Sequence, residues 1–159
     1  MGTSSLNFRA TKGGLGAFVE GVDLSADVSN SLGRELRQGL GEYGVLFFRD
    51  QEISPEQHID FAERVGGVDI NHFFQPVAEY PQIAEVRKEP EQKMAVGERW
   101  HTDHSYDLEP ALGSIMVARE LPSRGGDTIF ANMYAAYDAL SDGLKATLEG
   151  MQAEHSTRH

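Results

Sequence analysis

The 159-residue chain has 40% hydrophobic and 25% charged residues, values of a globular protein, and its length suits one domain with its own core. Its 25 Asp and Glu against 14 Lys and Arg leave a net charge of −11, which argues against nucleic acid and anionic membrane as partners but leaves room for a small anion in a local pocket. No cysteine is present, so disulfides, thiolate metal sites and Cys nucleophiles are excluded; no stretch approaches a membrane span, no signal-peptide pattern opens the chain, and a soluble cytoplasmic protein is expected.

Residues 1–27 alternate apolar and small residues around Leu6, Phe8, Leu15, Phe18, Val19 and Val22, with glycines at 13, 14, 16 and 21, which predicts short strands joined by tight turns. From Ser29 to Tyr43 the period changes. Leu32, Leu36, Leu40 and Tyr43 fall four, four and three apart, one face of an amphipathic helix that Gly44 can stop. The apolar run Val45–Phe48 reads as a short buried strand. A second helix has a legible start, with Ser54 as N-cap, Pro55 at the first helical position and Gln57 completing a capping box. His58, Phe61, Ala62 and Val65 share its inner face and Gly66-Gly67 ends it, so His58 is read as a partly buried packing residue rather than a catalytic one.

Val68–Phe74 and Ile83–Val86 are read as strands. Lys88–Gly97, rich in charge, Pro and Gly, reads as a surface loop, either a lid or a solvated connection. Gly113–Arg119 carries apolar residues on both faces and predicts a strand covered on both sides; Leu121–Asp127 is turn chemistry, and Thr128–Phe130 re-enters a strand. Tyr134, Tyr137 and Leu140 then define one helical face, and Ser141 caps a last helix carrying Leu144, Leu148 and Met151.

Chemistry concentrates in Trp100-His101-Thr102-Asp103-His104-Ser105-Tyr106. In an extended segment side chains alternate faces, so His101 and Asp103 project to one side and can share an ion, while Thr102 and His104 point the other way. An imidazole and a carboxylate are two members of the 2-His-1-carboxylate triad that holds Fe(II) on one face and leaves positions open. A His-x-Asp alone recurs by chance, and a Zn(II) hydrolase could use the same pair.

The ordered set Trp100-His101-Thr102-Asp103, Glu120-Leu121-Pro122-Ser123, Gly125-Gly126-Asp127-Thr128 and Tyr134-Ala-Ala-Tyr137-x-Ala-Leu140-Ser141 resembles the TauD/TfdA family of Fe(II)- and 2-oxoglutarate-dependent dioxygenases. Leu46–Gln51 and Ser54–Gln57 extend the resemblance upstream. It implies an α+β, mainly β fold, a double-stranded β-helix (a cupin-like jelly roll) with flanking helices, over a single domain at 1–159. It implies His101 and Asp103 as iron ligands and Thr128 as the hydroxyl that binds a carboxylate of 2-oxoglutarate. Substrate contacts are implied near Asn71, Phe74 and Gly97. These stand where taurine dioxygenase has other hydrogen-bonding residues, which points away from taurine. Trp100 matches an aromatic beside the site, although a core role explains it as well.

The activity so implied is hydroxylation of a small organic, possibly anionic, substrate by O2 and 2-oxoglutarate with release of succinate and CO2, and Asp103 favours hydroxylation over halogenation. The family's distal iron-binding His and its 2-oxoglutarate-binding Arg have no counterpart in this sequence. His155 and His159 are read as surface or structural residues, not the third ligand, and His72 as an ordinary polar contact. The expectation is therefore a fold incomplete at its C-terminal end, binding iron weakly when isolated, with sheet edges that encourage homo-oligomers. The rival reading is a non-catalytic fragment or binding module with a vestigial metal motif.

Overall fold

The computed structural model describes residues 6–156, which form two small sheets and four helices. Strands β1 (Asn7–Ala10) and β2 (Ala17–Glu20) make an antiparallel hairpin, and β3 (Leu46–Phe47) adds to β2 in parallel, giving the order β1-β2-β3. The hairpin turn is closed by Thr11, whose amide donates to Gly16 O at 2.9 Å and whose hydroxyl donates to Leu15 O at 2.6 Å. Gly16 combines a φ of +90° with a site where a Cβ would lie 2.8 Å from the Phe47 ring, so only glycine lets β2 meet β3 here.

Both early helices form where their caps predict. In α1 (Asn30–Tyr43) the Ser29 hydroxyl accepts from Leu32 N, and Gly44, at φ 73°, donates its N–H to Leu40 O. In α2 (Pro55–Val65) Ser54 and Gln57 form the reciprocal capping box. The helices touch through Gly33, where a Cβ would lie 2.4 Å from Arg64 O, and through Arg37, whose Nη1 donates to Val65 O at 2.7 Å and so satisfies a carbonyl at the end of α2. Under them lies one core of Val19, Leu24, Val28, Leu36, Ile53, Phe61 and Val65, with Leu36 only 1% exposed.

Past Val65 the expectations fare less well. Val68–Phe74 is not a strand: the Asn71 side chain accepts from Phe73 N at 2.8 Å and curls the backbone instead. The strands lie further on, in the hairpin β4 (Pro76–Val77) and β5 (Tyr80–Ala84), which turns at Glu79 with φ 69°; β5 overlaps the expected Ile83–Val86 but begins earlier. Tyr80 docks this hairpin on α2 by donating its hydroxyl to Glu56.

Gly113–Arg119 and Thr128–Phe130, expected as strands, join no ladder among the described residues. Ile115, Met116, Ile129 and Phe130 are exposed, Met116 at 65%, contrary to the expectation of two covered faces for 113–119. A strand needs a second backbone at ladder spacing, and the described residues supply none there. The two sheets hold three and two strands, short of the roughly eight of a jelly roll. Residues 113–119 are nevertheless tied to α2 and the core: His58 Nε2 donates to Ile115 O at 3.1 Å, Arg119 Nη1 donates to Ile53 O at 3.0 Å, and Val117 packs on the core.

The last helices, α3 (Met133–Asp138) and α4 (Asp142–Leu148), are capped by Asn132 and Ser141. Leu140 and Met151 fall outside them. Tyr134, Tyr137, Leu144 and Leu148 are exposed, with Lys145 of α4 lying 5.5 Å over the Tyr137 ring. No helix there is long and apolar enough to cross a membrane.

Candidate metal centre

The chain enters the centre through the exposed coil 86–100 and turns at Asp103–Tyr106, so the segment is extended only to Thr102. The His101–Asp103 pairing survives this difference. His101 Nδ1 lies 2.7 Å from Arg99 O. A carbonyl can only accept, so Nδ1 carries the proton and Nε2 presents its lone pair. That nitrogen sits 3.2 Å from Asp103 Oδ1. Two acceptors at this distance require a cation between them, either a second proton or a metal ion. The other carboxylate oxygen, Oδ2, accepts from Ser114 Oγ at 3.2 Å. An imidazole oriented by a backbone carbonyl and a carboxylate oriented by a hydroxyl are the outer supports that metal ligands commonly have. Both side chains are open to ligands, at 54% and 59% exposure.

Gly97 belongs to the same cluster. A Cβ there would lie 3.2 Å from His101 Cε1, and its φ of +72° is itself a glycine conformation. Trp100 is 71% exposed, against the core reading. Thr128 is exposed on the unpaired 128–130 stretch, and Phe74 is half-buried in the 68–74 segment. The structure thus gathers His101, Asp103 and Gly97 into one contact group.

Asn71 meets the motif from its other side, through His104. His104 lies in the turn with a φ of +53°, not in the extended backbone that the alternation of faces assumed. Nδ1 lies 2.9 Å from Asp107 Oδ2 and 3.6 Å from Asp69 Oδ2, and Nε2 lies 3.4 Å from Asn71 Nδ2. The ring stacks on Tyr106, which in turn meets Phe73 edge-on. Burial raises the Tyr106 phenol above its usual pKa, and Asp107, Asp103 and Asp69 add to the effect. Asp69, His104 and Asp107 are the one three-residue set among the described residues with possible ligand atoms within 4.8 Å of one another. Sequence reasoning missed it. Asp107 sits three residues past His104 in a turn, a signal that was available; Asp69 lies far upstream and had none.

The remaining histidines keep modest roles. His58 is half-buried, and burial lowers its pKa. His155 Nδ1 lies 2.9 Å from Ser105 Oγ, a structural contact beside the motif. His72 is exposed, and His159 lies outside the described residues. A concavity of about 770 Å³ between residues 24–28, α1 and α2, lined by Arg34, Arg37, Arg64, Asp27, Asp60 and Glu63 among others, shares no residue with the His101–Asp103 pair. Donor chemistry, not volume, marks the centre.

A His-x-Asp pair of this kind offers two of the three donors that a 2-His-1-carboxylate site uses. Residues 7–159 match the family described as "Taurine catabolism dioxygenase TauD, TfdA family", and the chain belongs to it. Members of this family use Fe(II) and 2-oxoglutarate. The chain is 37% identical over 149 residues to an (S)-phenoxypropionate/alpha-ketoglutarate-dioxygenase of Sphingobium herbicidovorans, covering 91% of this chain and 51% of that one. It is 34% identical over 155 residues to an alpha-ketoglutarate-dependent 2,4-dichlorophenoxyacetate dioxygenase of Cupriavidus pinatubonensis, covering 87% and 54%. Among solved structures, a taurine dioxygenase from Burkholderia xenovorans superposes with a TM-score of 0.74 at 28% identity, over 92% of this chain and 51% of that one. AAD-2 in complex with Mn(II) and N-oxalylglycine gives a TM-score of 0.66 at 30% identity, over 91% and 49%. The chain spans about half the length of the curated relatives it matches.

Proposed function

We propose that this chain supplies two ligands of an Fe(II) centre and part of the 2-oxoglutarate and substrate sites of an oxygenase that hydroxylates a small anionic organic molecule. One observation carries the reading: in a chain of this family, His101 Nε2 and Asp103 Oδ1 face each other at 3.2 Å with their other polar atoms already engaged. Bound Fe(II), with 2-oxoglutarate and O2, supplies the oxidation, releasing succinate and CO2 and delivering a hydroxyl to the substrate. The chain's own residues bind and orient. His101 and Asp103 hold the metal, Arg99 and Ser114 hold those ligands, and the exposed Thr128 hydroxyl donates to a carboxylate of 2-oxoglutarate.

Gly97 leaves space over the His101 ring, and Asn71 and Phe74 line the substrate side. An anionic substrate is supported by relatives named for phenoxypropionate and 2,4-dichlorophenoxyacetate, both carboxylates. The same reading makes residues 1–159 part of a single double-stranded β-helix domain. In it, 113–119 and 128–130 take up ladder partners and the apolar faces of α3 and α4 are covered, by further chain or by a second copy in a homo-oligomer. The absence of cysteine accords with a cytoplasmic setting.

Anaerobic titration of the chain with Fe(II) and 2-oxoglutarate tests the reading. A visible charge-transfer band is expected, and both His101→Ala and Asp103→Ala should abolish it. Because the chain supplies only two of the ligands, the band is read at excess Fe(II) and 2-oxoglutarate, and variants that keep it undiminished would refute the assignment.

A further inference from the structure

Resting on the assignment of His101 and Asp103 as metal ligands, we propose that His104 is a positioning residue: its ring latches the substrate-side segment Asp69–Phe74 to the turn that carries Asp103. The first observation is conformational. His104 holds φ at +53°, a left-handed conformation uncommon for a residue with a side chain. The turn is closed by Asp107 N donating to His104 O at 3.0 Å, and the ring is gripped on three sides. Asp107 and Asp69 flank Nδ1, Asn71 meets Nε2, and Tyr106 stacks on its face with the rings 5.8 Å apart.

The second observation fixes the tautomer. Asn71 Oδ1 is occupied by the Phe73 amide at 2.8 Å, so the group Asn71 turns toward His104 is its NH2. His104 Nε2 must therefore accept. A proton on Nδ1 is donated to Asp107, with Asp69 as a more distant second acceptor. Asp69, His104 and Asp107 thus form a hydrogen-bonded clasp. One continuous set of contacts, Asp107–His104–Asn71 with Tyr106–Phe73 beside it, joins the turn after Asp103 to the segment bearing Asn71 and Phe74.

The test uses the 159-residue chain with His104→Gly and His104→Asn, since Gly and Asn both tolerate the left-handed backbone and so separate the ring from the turn. The imidazole ¹⁵N spectrum of His104 should show a protonated Nδ1 and a bare Nε2. His104→Gly should speed amide exchange across residues 69–74 about tenfold, the effect of losing a net hydrogen bond, with α1 and α2 unchanged. His104→Asn, which still offers a donor to Asp107, should rescue part of that protection. Mn(II) affinity should stay within about twofold in both variants, because the contacts that aim the two ligands, Arg99 O on His101 and Ser114 Oγ on Asp103, do not involve the His104 ring. A bare Nδ1, or exchange at 69–74 indifferent to His104→Gly, would overturn the latch. So would Mn(II) broadening centred on Asp69 and Asp107 that survives His101→Ala. Failure of Mn(II) to reach His101 and Asp103 would overturn the iron reading instead, on a measurement separate from the exchange that tests the latch.

Discussion

Two glycines on α1 should respond to the same substitution with opposite signs. At Gly33 an added Cβ would stand 2.4 Å from Arg64 O and 3.2 Å from its carbonyl carbon, where ordinary contact begins at 3.4 Å. The obstacle is backbone in the last turn of α2, so no side-chain rotation relieves it and the helix must shift. Overpacking of this kind costs about 1–3 kcal/mol, and a clash with backbone belongs at the upper end. Removing glycine from a helix interior returns up to about 1 kcal/mol, so Gly33→Ala should destabilise by roughly 2 kcal/mol. At Gly41 nothing lies within 4 Å of the added atom. Gly41→Ala should therefore stabilise by about 0.5–1 kcal/mol. Urea unfolding followed by far-UV circular dichroism reads both as shifts of midpoint at constant slope. Shifts of the same sign would show that α1 and α2 do not meet through the Gly33–Arg64 contact.

Two further outcomes are expected. Ser114→Ala removes the hydroxyl that holds Asp103 Oδ2 and should weaken Mn(II) binding about tenfold, the low end for a supporting contact; an unchanged Kd from electron paramagnetic resonance titration would show that Asp103 is held in another way. His58 has its pKa lowered by burial from the ordinary 6.5, so the unfolded chain takes up the proton first. Its contribution is fully present above that value and is lost as pH falls below it. His58→Gln, which can still donate to Ile115 O, should flatten the stability–pH curve on the acid side; identical slopes in denaturation midpoints from about pH 7.5 to 5 would reject the assignment.

What was legible in the sequence was what local chemistry decides. Ser29, Gly44, Ser54, Pro55 and Gln57 act on backbone groups within a turn of themselves, so α1 and α2 form where their signals stand. Strand formation depends on a partner that may be far away. Gly113–Arg119 has the composition of a buried strand, yet composition states only a preference for burial and says nothing of a backbone to pair with. Val68–Phe74 failed for a different reason, because Asn71 spends its side chain on Phe73 N and bends the segment. At the centre, the i, i+2 spacing brought His101 and Asp103 together even though the chain turns at Asp103. The left-handed His104 and its clasp could not be foreseen, since Asp69 and Asn71 reach it across more than thirty residues.

The two ligands also show how a centre with more than half-exposed side chains acquires order. Nothing in the turn 103–106 fixes the Asp103 carboxylate. Ser114 does, and Ser114 is adjacent to Ile115, whose carbonyl is held by His58 on α2; Arg119 ties the same segment to Ile53 in the core. The route from the buried core to Asp103 therefore runs through residues 113–119, a segment with no ladder among the described residues. On the proposed reading, metal binding and the order of that segment would be linked, because Ser114 aims the carboxylate that would hold the ion. Pairing of 113–119 with another strand would raise metal affinity without adding a ligand, and loosening its ties at His58 or Arg119 would lower affinity from a distance.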